Sequence, residues 1–182
     1  PGEAEAAPTS ILFCLGSVKN VGTNIIEAII QARKEKPFSS LTDFVERVAE
    51  KDLNKKSLES LIKCGALDEF GERGLLLANM EKILEYARNL QKQNSTQQSS
   101  LFGTSDMGTT SGIRLEPSAA AIKKERLGWE KELLGLYISE HPLEDYREHF
   151  ANKVTPLSQL MAQPKDAKVS VGGLVSSMKK IV

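Results

Sequence analysis

Apolar residues recur at helical spacing through the first half of the chain and divide it into short amphipathic segments. A helix that packs on a core carries apolar residues three and four positions apart. This spacing predicts helices from Thr23 to about Lys34, from Leu41 to Val48 and from Lys55 to Lys63, and a longest helix that starts at Gly71. We expect one helical core to bury the main apolar residues of these segments, namely Ile25, Ile29, Leu58, Leu61, Leu76, Met80 and Ile83.

Polar residues stand before two of these segments, where a helix N-terminus needs hydrogen-bond acceptors. Ser39 or Ser40 precedes the segment that begins at Leu41, and Asn54 precedes the segment that begins at Lys55. The side chains of Ser and Asn accept hydrogen bonds from the backbone N–H groups of a first helical turn. We therefore expect these residues to cap the two helices.

The turn from Leu15 to Gly22 is the first candidate functional feature. It predicts a short apolar turn of helix, a tight hairpin, and then the helix that starts at Thr23. Gly22 can take a positive φ without steric cost, and Asn20 is one of the few other residues that tolerate the left-handed region. A hairpin that opens onto a helix N-terminus presents backbone N–H groups that bind anions, above all phosphate.

A second, similar turn runs from Leu61 to Asp68, with Gly71 shortly after it. Two such turns among short helices favour a pair of hairpins that bind nucleic-acid backbone. A Gly-bounded turn is also common in helical proteins that bind no nucleic acid, so a purely structural role stays open. The candidate DNA-binding residues are Lys19, Asn20, Val21, Gly22 and Thr23 in the first turn and Lys63, Gly65, Ala66 and Leu67 in the second.

Residues 91 to 115 are rich in Gln, Ser, Thr and Gly, and they predict a mobile linker. Leu101 and Phe102 form one apolar island in it, directly after Gln98, Ser99 and Ser100. Such a pair can enter a pocket of a partner protein, or it can pin the loop onto the helical domain. The residues themselves leave both interpretations open.

Beyond the linker, the pattern predicts further helices and then a strand. The predicted helices cover Ser118 to Leu134 and Pro142 to Phe150, and a short one begins at Thr155-Pro156. Apolar residues alternate after Lys168 and are interrupted by Gly172-Gly173, which predicts a strand with a bulge or a sharp bend. This strand is typical of the start of a small β domain.

Composition narrows the classes of function. Lys and Arg together number 24 and so do Asp and Glu, so contact with nucleic acid has to come from local groups. Cys14 and Cys64 lack the spacing of a metal site, and we expect reduced thiols in a cytoplasmic protein. The sequence has no signal peptide and no apolar run long enough to span a membrane. Because the chain starts at Pro1 and ends inside a predicted strand, we expect a piece of a longer protein.

No catalytic or metal-binding constellation stands out in the sequence. His141 and His149 have no Cys or His nearby that would complete a metal site. Four acidic residues are scattered over predicted helix ends and turns, where capping is their usual role, and these are Asp43, Asp52, Asp68 and Asp145. We therefore expect no catalytic residue, no metal site and no cofactor in this chain, and an unrelated enzyme is the least favoured class.

Four blocks of sequence together resemble one family. The blocks are residues 15–22 (LGSVKNVG), 54–68 (NKKSLESLIKCGALD), 100–103 (SLFG) and 134–143 (LGLYISEHPL). They occur in this order and at similar spacing in the bacterial DNA polymerase III alpha subunits, the family C replicative DNA polymerases. The resemblance covers nearly all of the chain from Ile11 to Val182. The family often has Gly where this chain has Asn20.

The resemblance implies a DNA-directed DNA polymerase, which is a nucleotidyltransferase. In that family the catalytic palm, with its aspartates for Mg²⁺, lies upstream of this region, so the fragment is expected to have no polymerase activity by itself. The region itself holds a tandem helix-hairpin-helix domain, a sliding-clamp-binding peptide and the start of an OB-fold. The implied partners are double-stranded DNA, the sliding clamp, and the rest of the polymerase chain and replicase holoenzyme, without a membrane. The residues that match the clamp-binding peptide are Gln98, Ser99, Ser100, Leu101 and Phe102.

We therefore predict a mainly α fold that binds duplex DNA backbone and tethers the polymerase to its clamp. A helical protein-interaction scaffold without DNA binding is the alternative. Salt-dependent binding to duplex DNA separates the two, because contacts to phosphates release counterions. The predicted parts are a flexible lead-in (1–10), the tandem helix-hairpin-helix domain (11–93), the linker with the clamp-binding-like peptide (94–116), a helical connector (117–165) and the first strand of a truncated OB-like domain (166–182).

Overall fold

The computed structural model describes residues 13–48, 53–95, 112–151, 153–175 and 177–180. The chain divides into two compact units, Pro1–Leu136 and Tyr137–Val182. Secondary structure in the described ranges is helical, and these ranges contain no strand. The prediction of a mainly α fold is therefore confirmed. The lead-in and residues 96–111 of the linker lie outside the described residues, and the five predicted domain boundaries stay predictions.

In the described residues of the first unit, a short 3-10 turn at Leu15–Ser17 precedes six α-helices. The sequence periodicity located the first three helices to within a residue or two, because each buries one apolar stripe. The helices are α1 (Thr23–Glu35), α2 (Leu41–Val48), α3 (Lys55–Lys63), α4 (Arg73–Ala78), α5 (Met80–Ser95) and α6 (Lys123–Leu134).

One apolar core lies between α1, α2, α3, α4 and α5. Phe44 packs edge-to-face on Phe38 with ring centroids 5.1 Å apart, and its other side faces Phe70 at 5.9 Å. Of the seven core residues expected from the sequence, Met80 is half-buried against this core. The other six are buried, and they are Ile25, Ile29, Leu58, Leu61, Leu76 and Ile83.

The two predicted helix caps are confirmed. Asn54 Oδ1 accepts a hydrogen bond from Ser57 N at 2.9 Å at the start of α3. Ser40 Oγ accepts one from Asp43 N at 3.1 Å, and the Asp43 carboxylate accepts one from Ser39 N at 2.9 Å. This hydrogen bond from Ser39 lowers the pKa of Asp43, and the charges of Lys36 and Arg47 act in the same direction against desolvation.

The predicted long helix from Gly71 is wrong in its start and its continuity. Glu72 caps a short helix, α4, and the longest helix, α5, starts only after Asn79. Asn79 is buried, so its side-chain amide needs partners. It donates to Leu75 O at 2.9 Å and to Glu116 O at 2.9 Å, while Glu116 N donates to Asn79 Oδ1 at 2.8 Å.

Residues 112–122 form a non-helical segment, which we call the strap, before α6. The helix predicted from Ser118 therefore begins later, at Lys123. The backbone amides of the strap donate to side chains of the helical domain instead of to a helical turn: Ile113 N to Thr42 Oγ1 at 2.9 Å and Ala121 N to Glu72 Oε1 at 2.9 Å. The strap also crosses Gly74 so closely that a Cβ there would lie 2.5 Å from a backbone oxygen of the strap.

The second unit is made of short helical pieces. The helix predicted from Pro142 to Phe150 is shorter and divided, with a 3-10 turn at Glu144–Tyr146 followed by α7 (Arg147–Ala151). A 3-10 helix at Leu157–Ala162 confirms the short helical segment expected after Pro156. The predicted strand is not present in residues 168–175 and 177–180. A strand requires a hydrogen-bonded neighbour, and in the described ranges Ser170 O accepts only from Thr155 N, at 2.8 Å, outside any ladder.

Candidate nucleic-acid interface

The first hairpin, residues 15–22, joins the 3-10 turn to α1. The side chain of Val18 is buried, and its N–H closes the 3-10 turn by donating to Leu15 O at 3.1 Å. The chain then reverses at Asn20, whose φ of +66° lies in the left-handed region. Gly22 has a φ of −75°, so the hairpin does not use the positive φ that this glycine could adopt. Asn20 makes the reversal, and Gly22 has extended backbone.

Gly22 is the N-cap of α1, and as a glycine it has no side chain that could accept from the first amides of the helix. Gly22 makes no side-chain cap hydrogen bond, and the first turn contains no acidic residue. Gly22 and Thr23 are exposed, as are Lys19 and Asn20 beside them, while Val21 is half-buried. A helix N-terminus carries partial positive charge on its first amides, which attracts anions. The first hairpin therefore brings the five predicted residues together around an exposed helix start whose N-cap residue has no capping side chain.

The second hairpin, residues 61–68, ends α3 in a different way. Gly65 takes a φ of +85°, and its N–H donates to Ile62 O at 3.0 Å. Ala66 N donates to Leu61 O at 3.0 Å. These two bonds form a Schellman motif, the common closure of a helix C-terminus. The amides of Gly65 and Ala66, which the sequence suggested for phosphate, donate within the chain, and Leu67 is buried.

The helix that follows the second hairpin has a carboxylate at its N-terminus. Glu72 Oε2 accepts from Gly74 N at 2.7 Å and from Leu75 N at 3.1 Å. The position at which a phosphate would meet α4 is therefore filled by a side chain of the protein. Glu72 also accepts from the strap, so this cap fixes three backbone N–H groups at once.

A buried ionic cluster holds the second hairpin. Arg73 is 6% exposed and donates from Nη1 to Glu130 Oε1 at 2.9 Å and from Nη2 to Asp68 Oδ2 at 2.8 Å. Arg73 Nη1 also donates to Lys63 O at 3.2 Å. Burial alone lowers the pKa of Arg73, but the hydrogen bonds to Asp68 and Glu130 outweigh it and hold the pKa above its ordinary value. Arg73 stays a cation that ties the hairpin to α6.

Sequence reasoning missed this cluster, although one signal was available. Glu130 is fully buried and lies on α6 three residues from Leu127 and three from Leu133, both also buried. An acidic residue in the middle of an apolar helix face needs a cationic or hydrogen-bonding partner. The sequence does not identify that partner, because Arg73 lies far away along the chain.

Lys63, the predicted cation of the second hairpin, is engaged inside the protein. Its Nζ lies 2.5 Å from Glu59 Oε1 and 5.6 Å from the centroid of the Trp129 ring. Lys19 of the first hairpin has an exposed side chain, while its backbone N–H donates to Leu133 O at 3.1 Å. The two lysines therefore differ in how readily they can meet an external phosphate.

The comparisons with known proteins agree with this architecture. A family profile described as a helix-hairpin-helix motif matches residues 3–76, which contain both hairpins. The DNA polymerase III subunit alpha of Thermus aquaticus is 36% identical over 92% of this chain and 14% of its own length. The same subunit of Deinococcus radiodurans is 38% identical over 96% of this chain and 14% of its own length. That of Campylobacter jejuni is 37% identical over 76% of this chain and 12% of its own length.

This chain is homologous to one region of the DNA polymerase III alpha subunits, as the four sequence blocks predicted. It spans 12–14% of the length of these three relatives. Within this region of the alpha subunit, the profile match ends at residue 76. The strap and α6 lie beyond it, although α6 contributes Glu130 and Leu133 to the surroundings of the two hairpins.

Three other predictions from the sequence concern the clamp-binding-like peptide, metal binding and membrane spans. Residues 98–102, the clamp-binding-like peptide, lie outside the described residues. The parts of the chain that the structure describes contain no group of three or more His, Cys, Asp or Glu side chains arranged to hold a metal ion. No helix within these parts has the length and apolar character needed to cross a membrane.

Proposed function

We propose that this region binds the sugar-phosphate backbone of duplex DNA through the first hairpin, as part of a bacterial replicative DNA polymerase. The observation that carries the proposal is the N-terminus of α1, whose N-cap residue Gly22 provides no side-chain acceptor, next to the exposed Lys19. This site lies inside the helix-hairpin-helix match, in a chain similar to proteins named DNA polymerase III subunit alpha.

The chemistry of the first hairpin suits phosphate. The backbone amides at Gly22 and Thr23 supply hydrogen bonds, and Lys19 supplies a mobile positive charge. Because the whole chain has no net charge, attraction is confined to this local surface. Contacts of this type position a protein on DNA and carry no base information, so we propose binding that is independent of sequence.

For the second hairpin we propose a weaker contact that depends on the Lys63 side chain. The Lys63 ammonium has to leave Glu59 and the Trp129 ring before it reaches a phosphate. The amides of Gly65 and Ala66 already donate to α3, so they add little. The main role of this hairpin is then to hold α3, α4 and α6 together behind the first one.

The test is duplex binding measured over a range of salt concentrations. The parent chain is expected to bind with an affinity that falls steeply with salt, equally for unrelated sequences. Lys19→Ala should weaken binding and lower the salt slope by about one unit. Lys63→Ala is the matched control at the second hairpin and should have a smaller effect. Absence of salt-dependent binding by the parent would instead support the helical scaffold.

We further propose that Gln98, Ser99, Ser100, Leu101 and Phe102 bind the bacterial sliding clamp. An apolar Leu-Phe pair buried in a partner's pocket contributes about 1.5–3 kcal/mol per side chain. Gln98 adds hydrogen bonds that orient the peptide. The support is the order Gln, two other residues, Leu and Phe within a polar segment.

A titration of the sliding clamp tests this second part of the proposal. The parent should bind, and a triple variant with Gln98→Ala, Leu101→Ala and Phe102→Ala should not. Thermal melts of both proteins serve as the control, because the tether hypothesis predicts equal stability. Equal clamp affinity of the two proteins would contradict the tether hypothesis. A destabilised variant, with no clamp binding by either protein, would favour internal packing of Leu101 and Phe102.

For the longer protein we propose a Mg²⁺-dependent DNA-directed DNA polymerase that works with its replicase partners in the cytoplasm. The support is the name of the relatives, of which this chain covers about one seventh. The full-length polymerase should incorporate nucleotides in the presence of Mg²⁺, while the 182-residue chain alone should not. Incorporation by the isolated chain would contradict this division of labour.

A further inference from the structure

Helix α6 contacts both hairpins, although it lies well outside the residues that match the helix-hairpin-helix profile. The contacts come from three residues within little more than one helical turn: Trp129, Glu130 and Leu133. A helix-hairpin-helix pair does not require such an element for its own definition, since its helices and turns are consecutive in sequence. The position of α6 therefore has to be explained separately.

Two of these contacts fix α6 to the second hairpin. Glu130 is fully buried and accepts at 2.9 Å from Nη1 of Arg73 in α4, and the same Nη1 donates to Lys63 O of the hairpin at 3.2 Å. The Trp129 ring lies beneath the Lys63 ammonium. Buried charges are paired with specific geometry, because an unpaired buried charge is strongly unfavourable. This end of the contact region is therefore held in a single arrangement.

The third contact reaches the first hairpin at the residue just before its reversal. Lys19 N donates to Leu133 O at 3.1 Å, and Lys19 immediately precedes the left-handed Asn20. Leu133 is in the last turn of α6, where carbonyl groups lack helical partners and accept from other parts of a protein. The main chain of the hairpin is thus held at one point by the end of α6.

The end of α6 is itself closed by a left-handed residue. Gly135 has a φ of +78°, its N–H donates to Lys131 O at 3.1 Å, and Lys131 Nζ donates to Gly135 O at 2.8 Å. The Lys131 ammonium also offsets the partial negative charge of the helix C-terminus. Without it, that negative charge would stand next to a hairpin that has to attract phosphate.

We propose that α6 is a positioning element for DNA binding: through Leu133 O it holds the first hairpin in its binding geometry, and through Glu130 it fixes that geometry relative to the second hairpin. This inference rests on the proposed DNA binding by the first hairpin. It assigns a role in that binding to residues 129–135, none of which needs to touch DNA. A contiguous chain of hydrogen bonds with fixed geometry carries the effect.

The sharpest probe is Gly135, because a Cβ there meets no atom within 4 Å and only the backbone conformation is disturbed. Gly135→Ala disfavours the left-handed cap and should loosen the last turn of α6. Gly135→Asn is the matched variant, since Asn tolerates the same φ. Gly128→Ala, in the middle of α6 with open space around its Cβ, controls for a change in helix propensity.

Two measurements on the full chain separate positioning from stability. Amide hydrogen exchange at Lys19 N–H reports the bond to Leu133 O, with the core amide of Ile29 as the reference for global unfolding. Salt-dependent duplex binding reports function. Gly135→Ala should speed exchange at Lys19 but not at Ile29, and should weaken duplex binding about threefold to thirtyfold. Gly135→Asn and Gly128→Ala should bind like the parent.

The possible failures are distinguishable. If Gly135→Ala exchanges faster at Lys19 and binds duplex as tightly as the parent, the inference is overturned and the proposed function stands. Unchanged exchange at Lys19 also overturns it, because α6 then does not hold the hairpin. If the parent shows no salt-dependent duplex binding, the proposed function fails first, and the inference fails with it.

Discussion

At the first hairpin the chain reverses at Asn20 and enters a helix whose N-cap, Gly22, provides no side chain. At the second hairpin the chain reverses at Gly65 and enters a helix capped by the Glu72 carboxylate. The N-cap residue of α1 therefore contributes no side-chain acceptor to the amides of its helix, whereas the N-cap carboxylate of α4 accepts from two of them. The comparison teaches that two hairpins of one motif can differ in function: in our proposal the first binds phosphate, while the second holds α3, α4 and α6 together.

The largest expected effect follows from removing the buried acid behind the second hairpin. Glu130→Ala leaves the Arg73 guanidinium with Asp68 as its remaining carboxylate partner. Breaking one side of a buried ion pair costs about 3–5 kcal/mol, and we expect the lower end because Asp68 remains. Urea denaturation measures the change in the free energy of unfolding. Glu81→Ala, which breaks the exposed pair with Lys55, is the control and should cost far less.

Gly65→Ala should have the next largest effect. Gly65 has a φ of +85°, and a Cβ would lie 2.3 Å from Arg73 Nη2 and 2.9 Å from Asp68 Oδ2. Strain at a left-handed residue costs about 1–3 kcal/mol, and the displaced ion pair adds to it. The matched change in the first hairpin is Gly16→Ala, where a Cβ makes an ordinary contact. Similar losses of stability in the two variants would contradict the proposed difference between the hairpins.

Glu72→Ala tests the cap that makes the second hairpin a closed one. Three backbone N–H groups lose their acceptor, at Gly74, Leu75 and Ala121. Loss of an N-cap side chain costs about 1 kcal/mol, and the detached strap amide adds to this. Chemical denaturation is the measurement, with Glu69→Ala, an exposed acidic residue of the same turn, as the control. No change in stability would show that the carboxylate does not cap α4.

Gly22→Asp introduces into the first hairpin the kind of cap that the second one has. An Asp N-cap and its charge near the helix N-terminus should stabilise α1 by about 0.5 kcal/mol. The same carboxylate occupies the proposed phosphate site, so duplex binding should weaken even though the protein becomes more stable. Gly22→Asn caps the helix without the charge and should bind DNA better than Gly22→Asp. Thermal melts and salt titrations, run in parallel, separate the two effects; equal DNA binding by both variants would place the phosphate elsewhere.

The smallest effect is a difference in thiol reactivity between the hairpins. Cys14, just before the first hairpin, is exposed, whereas burial raises the pKa of the Cys64 thiol in the second. A raised pKa leaves less thiolate at a given pH, so iodoacetamide should alkylate Cys14 before Cys64. The difference between the two alkylation rates should narrow as the pH rises through the pKa of Cys64. Because the pKa of this thiol is higher in the folded than in the unfolded protein, its small contribution to the free energy of unfolding is lost over the same pH range. Mass spectrometry of Cys14→Ser and Cys64→Ser variants gives each rate; equal rates would contradict the buried setting of Cys64.

The parts of this fold that depend on near neighbours in sequence could be predicted. Periodicity located α1 because the buried residues Ile25 and Ile29 lie one helical turn apart. The cap of α3 by Asn54 could be predicted because its hydrogen bond joins residues only three positions apart. The left-handed residue of the first hairpin could not be placed with certainty. Asn and Gly both tolerate that region, and in the structure it is Asn20 that adopts it, directly after Lys19, whose N–H donates to Leu133 O.

The parts that depend on distant residues were not predictable. A pattern of helix formers suggested helix from Ser118, but Asn79 and Glu72 accept the strap amides and keep the segment extended. The sequence also suggested Lys63 as a cation for phosphate. In the structure its ammonium lies over the ring of Trp129, a distant residue, as well as beside its near neighbour Glu59. The sequence identified both hairpins as candidate sites, whereas the difference between them arises from contacts with α6 and the strap.

The close passage of the strap over Gly74 carries a consequence for the evolution of this family. A Cβ at Gly74 would lie 2.5 Å from Ala119 O and 2.6 Å from Ala121 N, and both are main-chain atoms that no change of rotamer can move. Substitution at this single helical position therefore cannot be tolerated while the strap keeps its course. We expect related proteins either to keep glycine here or to differ in the strap itself, so that the two features are inherited together.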